Sequence, residues 1–358
     1  MIPFYTEKAD QVRKQAREFG EWLGPRDRVL EESKEIPGEI LAELWERGYY
    51  GYLIPRELGG AGGSLFELAL ILEELSSRSS SVSLSLLIQA LGVSLLSQEP
   101  EEEKRKRLLA RVVNERKLLA FALSEPGSES FETRAEVSGT GYKLSGRKVY
   151  VNQAREADWV LVLAKFEQGL GLVLTAKGSA GIIVSREFTR HSACGLSWGE
   201  VLIQEAEVDP ESLIGKPGDG ERITERSLSA AAVLVAASAL GLLEAVMKME
   251  WDGHLAKPWS RERLQQEAQP ELEAGRALCF QSGYGLDKHL PGSERAALAA
   301  KVFCTELACK WFSRFTDLAG APGISADGNL KPWSEFAVLL RTLLGSNAFL
   351  RESLAGME

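Results

Sequence analysis

The chain has 358 residues, of which 44% are hydrophobic and 26% charged, the composition of a globular protein with a substantial core and room for two or three subdomains. Its formal net charge is −9 and its Lys and Arg residues form no extended block, so no nucleic-acid surface is expected, since such surfaces depend on clustered cations. The four cysteines and three histidines show no metal-ligand spacing, so we expect no metal site and buried thiols in a reducing cytoplasm.

Residues 1–118 are predicted to form a helical domain. Apolar residues recur at intervals of three and four in residues 40–45 and 65–75, which is typical of amphipathic helices. Between them, the four glycines of residues 59–63 predict a turn, because they would destabilise any regular element. The N-terminus has no basic stretch followed by an apolar run, so no secretory signal is expected.

Residues 119–212 are predicted to form a small β domain. Short β-prone runs at 149–151, 159–163, 171–174 and 182–184 are separated by Gly, Asp and Lys. The polar surroundings of residues 143–146 favour a hairpin turn at that point.

Residues 213–358 are predicted to be helical again. The stretch from Ser227 to Leu243 carries no charge, so a membrane span must be considered. It has only 17 residues, is rich in Ala and Ser, and is followed by Glu244 and Lys248. This pattern favours a helix buried in a bundle, with no membrane contact.

Two stretches of the middle region carry specific motifs. One contains Ser124-Glu125-Pro126 and continues to residue 130, and the other contains Tyr150-Val151-Asn152 within residues 146–159. They resemble the "TEP…GSD" and "K-x-W-I-T-N…AD" signatures of the acyl-CoA dehydrogenase family, whose members hold FAD and desaturate acyl thioesters. Residues 51–60 resemble the family's "G-x-x-x-P-E-x-x-GG" segment.

This resemblance covers essentially all 358 residues and implies an α+β, mainly helical fold. The expected arrangement is an N-terminal helical domain, a middle β domain on the flavin side, and a C-terminal four-helix bundle that forms the core of an oligomer. The expected cofactor is FAD.

The resemblance also implies which residues lie along the flavin. Phe121, Leu123 and Ser124 would follow the ring, with Ser124 at the family's usual Thr position. Tyr150 takes the place of a tryptophan and Asn152 that of a threonine, so an aromatic wall and a hydrogen-bonding side chain are retained. Taken singly, such strand residues are more simply explained by core packing, and their joint order and spacing favour the shared fold.

The remaining cofactor contacts are less closely matched. The serine that meets the pyrophosphate is either Ser128 or Ser130, because the loop before Thr133 is four residues shorter than the family pattern. In the family a neighbouring subunit supplies an "R-x-x-F-G" segment and a "GGNG" loop. The first corresponds to Lys257 and Trp259, and the second runs from Gly320 to Gly323, where a structural turn is an equal alternative.

The position of the catalytic base departs from the family. Twenty residues beyond Ile324, Leu344 stands where most members have the glutamate that removes the substrate's α-proton, and the alternative position of that glutamate is Ala231. A leucine side chain cannot accept a proton, and general-base catalysis contributes about two to four orders of magnitude in rate. The catalytic residues are therefore unknown.

We expect a flavin-dependent oxidoreductase that acts on an acyl thioester of CoA or a carrier protein with a non-standard active site. Two alternatives are open: a non-catalytic subunit of a heteromeric acyl-CoA dehydrogenase, or a flavin-dependent monooxygenase on the same fold. The expected partners are the thioester, further copies of this chain or a homologous chain in a heterotetramer, and electron-transfer flavoprotein.

Overall fold

The structure, a computed structural model, describes residues 5–127, 131–249, 258–320 and 330–356. The N-terminal region consists of five α-helices: α1 (Glu7–Ser33), α2 (Gly38–Glu46), α3 (Leu65–Ser76), α4 (Ser80–Leu96) and α5 (Glu102–Asn114). A 3₁₀ turn, Arg56–Leu58, lies in the predicted glycine-rich connection. Ser64 and Glu67 form a reciprocal capping box at the start of α3.

Eight strands form one sheet: β1 (Leu119–Ala122), β2 (Arg134–Ser138), β3 (Gly141–Asn152), β4 (Trp159–Phe166), β5 (Gly169–Ala176), β6 (Ile182–Glu187), β7 (Trp198–Val208) and β8 (Leu213–Ile214). The order is β6-β7-β3-β2-β4-β5-β8, and β1 pairs with β4 in parallel. A second 3₁₀ turn, Pro210–Ser212, precedes β8, which lies just beyond the predicted limit of the β domain.

The hairpin turn expected at residues 143–146 is wrong. Ser138 pairs with Gly141, so β2 and β3 are joined by a two-residue loop in which Gly139 has a φ of 61°. Glycine adopts this left-handed conformation without strain, which favours the tighter loop. Residues 143–146 instead belong to β3, where the register shifts between Leu144 and Gly146.

The described part of the C-terminal region contains α6 (Gly220–Lys248), α7 (Pro258–Asp287), α8 (Ser293–Ala319), α9 (Leu330–Thr342) and α10 (Asn347–Ala355). Helix α6 packs against α3, α4, α7, α8 and α9. It is long and apolar enough to cross a membrane, but 83% of its most apolar window is buried inside the protein. Its apolar character is thus accounted for by packing between helices, as the sequence predicts.

Two glutamines attach β1 to the helical core. Gln89 of α4 accepts a hydrogen bond from the backbone N–H of Leu119 at 2.9 Å and donates one to the carbonyl of Lys117 at 3.0 Å. Gln153, at the end of β3, donates to the carbonyl of Leu119 at 2.9 Å. Helix α4 also passes close to β1, since a Cβ on Gly92 would lie 2.6 Å from the Cβ of Leu119. These contacts fix the strand that leads into the Ser-Glu-Pro motif.

Candidate functional site

A cavity of about 240 Å³ lies where β1, β3 and the C-terminal end of α9 meet. Six residues singled out from the sequence line it, namely Phe121, Leu123, Ser124, Tyr150, Asn152 and Leu344. The other lining residues are Ile88, Leu91, Val149, Trp198, Leu339, Thr342, Leu343 and Gly345. The structure therefore brings together segments that are more than 190 residues apart in the chain.

One wall of the cavity is aromatic. The register of β3 against β7 shifts between Lys148 and Val151, and Tyr150 within this bulge has a φ of 59°. Bulges of this kind redirect a side chain at the rim of a sheet. The Tyr150 ring is half-exposed and packs on Trp198, with ring centroids 5.0 Å apart, and on Phe188, at 4.8 Å. The Trp198 Nε1 donates to the carbonyl of Tyr150 at 3.1 Å.

A buried ion pair supports the segment next to Ser124. The Lys148 Nζ lies 2.5 Å from the Glu125 carboxylate and donates to the carbonyl of Leu123 at 3.1 Å. Both charged side chains are almost fully buried, at 0% and 4% exposure. Burial lowers the pKa of Lys148 to about 8 despite Glu125. Burial also opposes ionisation of Glu125, but hydrogen bonds from Lys148 and the backbone of Glu132 lower its pKa.

The turn that carries Leu344 is held by a buried lysine. The Lys301 Nζ donates to the carbonyls of Arg341 at 2.9 Å and Gly345 at 2.8 Å, and to the Asn347 Oδ1 at 2.8 Å. Burial, and then the charge of Arg341, lower the pKa of Lys301 to about 8. Between the two carbonyls, Leu344 has a φ of 59°, a strained conformation for leucine.

No Asp, Glu, His, Lys or Arg side chain lines the cavity among the residues that the structure describes. Ala231 is buried in α6, in the same apolar cluster as Phe121, and Leu344 packs against that cluster. The two positions predicted for the base are thus both apolar and adjoin one cluster. The nearest acidic residues upstream of the two positions are Glu225, which is exposed, and Glu335, which is half-buried and outside the cavity lining.

Most of the other predicted cofactor residues lie outside the part of the chain that the structure describes. Ser128, Ser130, Lys257 and Gly323 lie outside the described residues, and of Trp259 only its place in the first turn of α7 is described. Gly320 is the C-cap of α8, with a φ of 62°. A separate depression of about 780 Å³ is lined by residues that include Lys248, Met249 and Trp333, which flank these segments in the chain.

Sequence reasoning missed Trp198, Arg190 and Lys301. Trp198 and Arg190 reach the site because β7 pairs with β3, with Trp198 opposite Asn152. Lys301 reaches it from the middle of α8, which packs on α9. No local pattern in the sequence specifies these pairings, although an isolated lysine in the apolar stretch 297–304 is a signal that could have been followed.

A sheet domain held between two helical domains, with a cavity at their junction, defines the class of the protein. The family description "Acyl-CoA dehydrogenase, N-terminal domain" matches residues 6–116, and "Acyl-CoA dehydrogenase, C-terminal domain" matches residues 218–356. These matches span more than half of the chain. The protein belongs to the acyl-CoA dehydrogenase family.

Individual relatives are distant but cover most of the chain. A 3-(aryl)acrylate reductase of Clostridium sporogenes is 26% identical over 345 residues, 90% of this chain and 91% of the relative. The caffeyl-CoA reductase-Etf complex subunit CarC of Acetobacterium woodii is 25% identical over 332 residues, 86% of this chain and 87% of the relative. The solved structure "PigA with FAD and proline" superposes with a TM-score of 0.89 at 20% identity, covering 99% and 98% of the two chains.

Proposed function

We propose that this protein is a flavin-dependent oxidoreductase that binds FAD and acts on an acyl thioester of CoA or a carrier protein with a non-standard active site. The observation that carries the proposal is the convergence of Phe121, Leu123, Ser124, Tyr150 and Asn152 on one cavity, opposite Leu344. Membership of the acyl-CoA dehydrogenase family supports an oxidoreductase reaction. We also propose that the enzyme is cytoplasmic.

The cavity suits the ring system of a flavin. Its floor and one wall are apolar, and Ser124 and Asn152 supply polar groups at its edge. At about 240 Å³ it is smaller than the roughly 300–1,000 Å³ typical of a complete small-molecule site. It would accommodate the ring, and the rest of the dinucleotide would extend beyond it.

Bound FAD would supply the capacity to take up two electrons and a proton equivalent from the thioester's acyl chain. The chain's own residues would then bind and orient: Ser124 and Asn152 at the polar edge, and the Tyr150 and Trp198 rings as the wall that limits access of water. Leu344 fills the base position without a proton acceptor, so α-proton removal has no partner in the lining described here.

The absent carboxylate favours a second candidate, in which this chain is a non-catalytic subunit of a heteromeric acyl-CoA dehydrogenase. A homologous chain would supply both the base and the larger share of the cofactor contacts. The name of the Acetobacterium relative includes an Etf complex. We extend this to electron-transfer flavoprotein as the electron acceptor of the present protein or of its complex.

The first experiment is a visible absorption spectrum of the purified protein after reconstitution with FAD, alone and after co-expression with a homologous chain. The expected result is flavin absorption from the protein alone that acyl thioesters bleach only slowly under anaerobic conditions, because the cavity lining offers no base. Flavin uptake only with the partner would favour the subunit function, and oxygen consumption without acyl-CoA turnover would favour the monooxygenase. A protein that takes up no FAD in either state would contradict the proposal.

A second experiment tests the position of Leu344. The L344E variant places a carboxylate at the cavity, and we expect exchange of the α-protons of a bound acyl-CoA in deuterated water to rise by about 100-fold or more. The L344Q variant is the matched control, because it has the same shape without the base. Absence of exchange in L344E, with FAD and acyl-CoA both bound, would show that residue 344 does not face the α-carbon.

A further inference from the structure

Arg190 lies in the connection between β6 and β7 and points its guanidinium behind the cavity wall. It donates to the Asn152 Oδ1 at 2.7 Å, to the carbonyl of Ala193 at 2.8 Å and to that of Leu196 at 2.9 Å. Its Cζ lies 5.9 Å from the centroid of the Trp198 ring. All three hydrogen-bond acceptors are neutral, and no carboxylate among the described residues forms an ion pair with it within 4.0 Å.

These contacts determine the orientation of the Asn152 side chain. A guanidinium group contains only donors, so the atom that faces Arg190 must be the amide oxygen. The amide nitrogen then lies at the opposite end of the planar group. Asn152 is 8% exposed and lines the cavity, and its Nδ2 donates to no group in the part of the chain that the structure describes. This Nδ2 is not among the fully buried polar atoms without a partner, so it is accessible from the cavity and available to donate to an occupant.

We propose that Arg190 is a positioning residue that fixes Asn152 as a donor-only contact, and that the cavity's occupant presents to Asn152 a hydrogen-bond acceptor whose negative charge grows on reduction. This inference rests on the proposed function, in which that occupant is the FAD ring. A hydroxyl group at position 152 could donate or accept, whereas the fixed amide can only donate.

The electrostatic surroundings support this assignment. Burial lowers the pKa of Arg190 to about 10, although Cys194, Glu31 and Glu156 act in the opposite direction, so the group remains charged at neutral pH while its hydrogen-bond acceptors are neutral. The interaction of such a cation with its surroundings becomes more favourable when negative charge develops nearby in a site that contains little water. The reduced form of the occupant should therefore be favoured over the oxidised form by the Arg190–Asn152 pair.

The test is the N152D variant, which keeps the shape of the side chain but turns an acceptor oxygen toward the cavity and neutralises Arg190. We expect its dissociation constant for FAD, from flavin fluorescence quenching, to rise about tenfold or more, because the hydrogen-bond donor is lost and an acceptor faces the cofactor in its place. Spectroelectrochemistry should give a more negative flavin potential. For a two-electron couple, the potential falls by about 30 mV for each tenfold by which the affinity for reduced FAD decreases beyond the decrease for oxidised FAD.

Two further variants separate this role from simple packing. N152T retains a hydrogen-bond donor, although its side chain has a different shape. Its dissociation constant for FAD should stay within about threefold of the wild-type value, which is less than the tenfold change that corresponds to about 1.4 kcal/mol. R190K keeps the charge but loses the planar fork that fixes the amide, so its potential should fall between those of the wild type and N152D. Thermal unfolding of each FAD-free variant verifies its folding, and N152L, which also lacks a donor, replaces N152D if the latter does not fold.

Equal FAD affinity and potential in the wild type and N152D would overturn this inference and leave the proposed function intact. Tighter binding by N152D than by N152T would overturn it too. A wild-type protein that binds no FAD, alone or with its homologous chain, would overturn the proposed function together with the inference.

Discussion

At the scale of single residues, the Glu125–Lys148 pair shows how the Ser-Glu-Pro motif acts without touching the cavity. Glu125 does not line the cavity, but it accepts hydrogen bonds from Lys148 and from the backbone N–H groups of Glu132 and Thr133. Lys148 in turn holds the carbonyl of Leu123. The motif's glutamate is therefore structural, and it positions Leu123 and Ser124 through the main chain.

Replacing Glu125 with glutamine should lower the free energy of unfolding by about 3 kcal/mol at pH 7, because Lys148 would stay buried without the carboxylate that offsets its desolvation and would have to keep an unpaired charge or give up its proton. The measurement is urea unfolding. E136Q is the matched control, since Glu136 is exposed at 73% and its pair with Arg134 is long, at 3.6 Å, so we expect a change of less than about 0.5 kcal/mol. Equal effects of the two substitutions would contradict the structural role.

The same pair predicts a dependence on pH. The pKa of Glu125 is lowered in the folded state, so its contribution is present above the ordinary glutamate pKa of about 4.3 and is lost as the pH falls through its folded-state pKa. The stability difference between the wild type and E125Q should therefore shrink as the pH falls below about 4. Unfolding measured across this range tests the sign, and a difference that grew on acidification would show that it is wrong.

At the scale of elements, α6 and α3 cross at a contact that only glycine permits. A Cβ added to Gly241 would lie 2.0 Å from the carbonyl oxygen of Glu73 and 2.2 Å from the Ser76 Oγ. Ser76 also donates to the carbonyl of Ser238 on α6 at 2.9 Å. This crossing joins the N-terminal helices to the C-terminal helices. Because α9 packs on α6, the crossing also affects the position of α9 and of Leu344, which follows it.

The substitution G241A should therefore destabilise the protein by about 3 kcal/mol or more, since the helices must move apart. The control is G38A, at the start of α2, where an added Cβ meets nothing within 4 Å. There we expect no loss, or a gain of about 0.5 kcal/mol from the lower entropy of the unfolded chain. Thermal or urea unfolding compares the two, and a G241A variant as stable as G38A would mean that α6 and α3 pack less closely.

The limits of sequence reasoning also lie at this scale. Phe121 to Ser124 and Tyr150 to Asn152 could be found because each group is contiguous and belongs to a recognisable motif. Arg190, Trp198 and Lys301 could not, because they reach the site through strand pairing and helix packing between distant segments. The change from helices to strands and back was predicted from periodicity, but the β2–β3 turn was misplaced, because polar residues also occur within exposed strands.

At the scale of the whole molecule, described residues next to the two parts of the predicted cofactor site line two different cavities. Residues 121–152 reach the 240 Å³ cavity, whereas Lys248, Met249 and Trp333, which flank the other predicted segments, line a different depression. We infer that one chain supplies the ring site and another copy, or a homologous chain, supplies contacts to the rest of FAD. This agrees with the oligomeric core that the resemblance implies.

FAD binding should accordingly depend on assembly. We expect the apparent FAD affinity to fall when the protein is diluted. Added FAD should raise the unfolding temperature and the sedimenting mass together, because a ligand stabilises the form of the protein that binds it. At a ligand concentration 100 times the dissociation constant, this stabilisation is about 2.7 kcal/mol. Analytical ultracentrifugation monitored at the flavin absorption measures this. A monomer saturated with FAD would contradict the division of the site between chains.

Lys301 holds the turn that carries Leu344 without contacting the Leu344 side chain through a hydrogen bond. Its ammonium group donates to the carbonyls of Arg341 and Gly345 and to the Asn347 side chain. A mutation of Leu344 can exchange one functional group for another while the main chain keeps its course. During evolution, a single substitution at residue 344 could therefore remove or restore a proton-accepting side chain while the backbone of the turn stays unchanged.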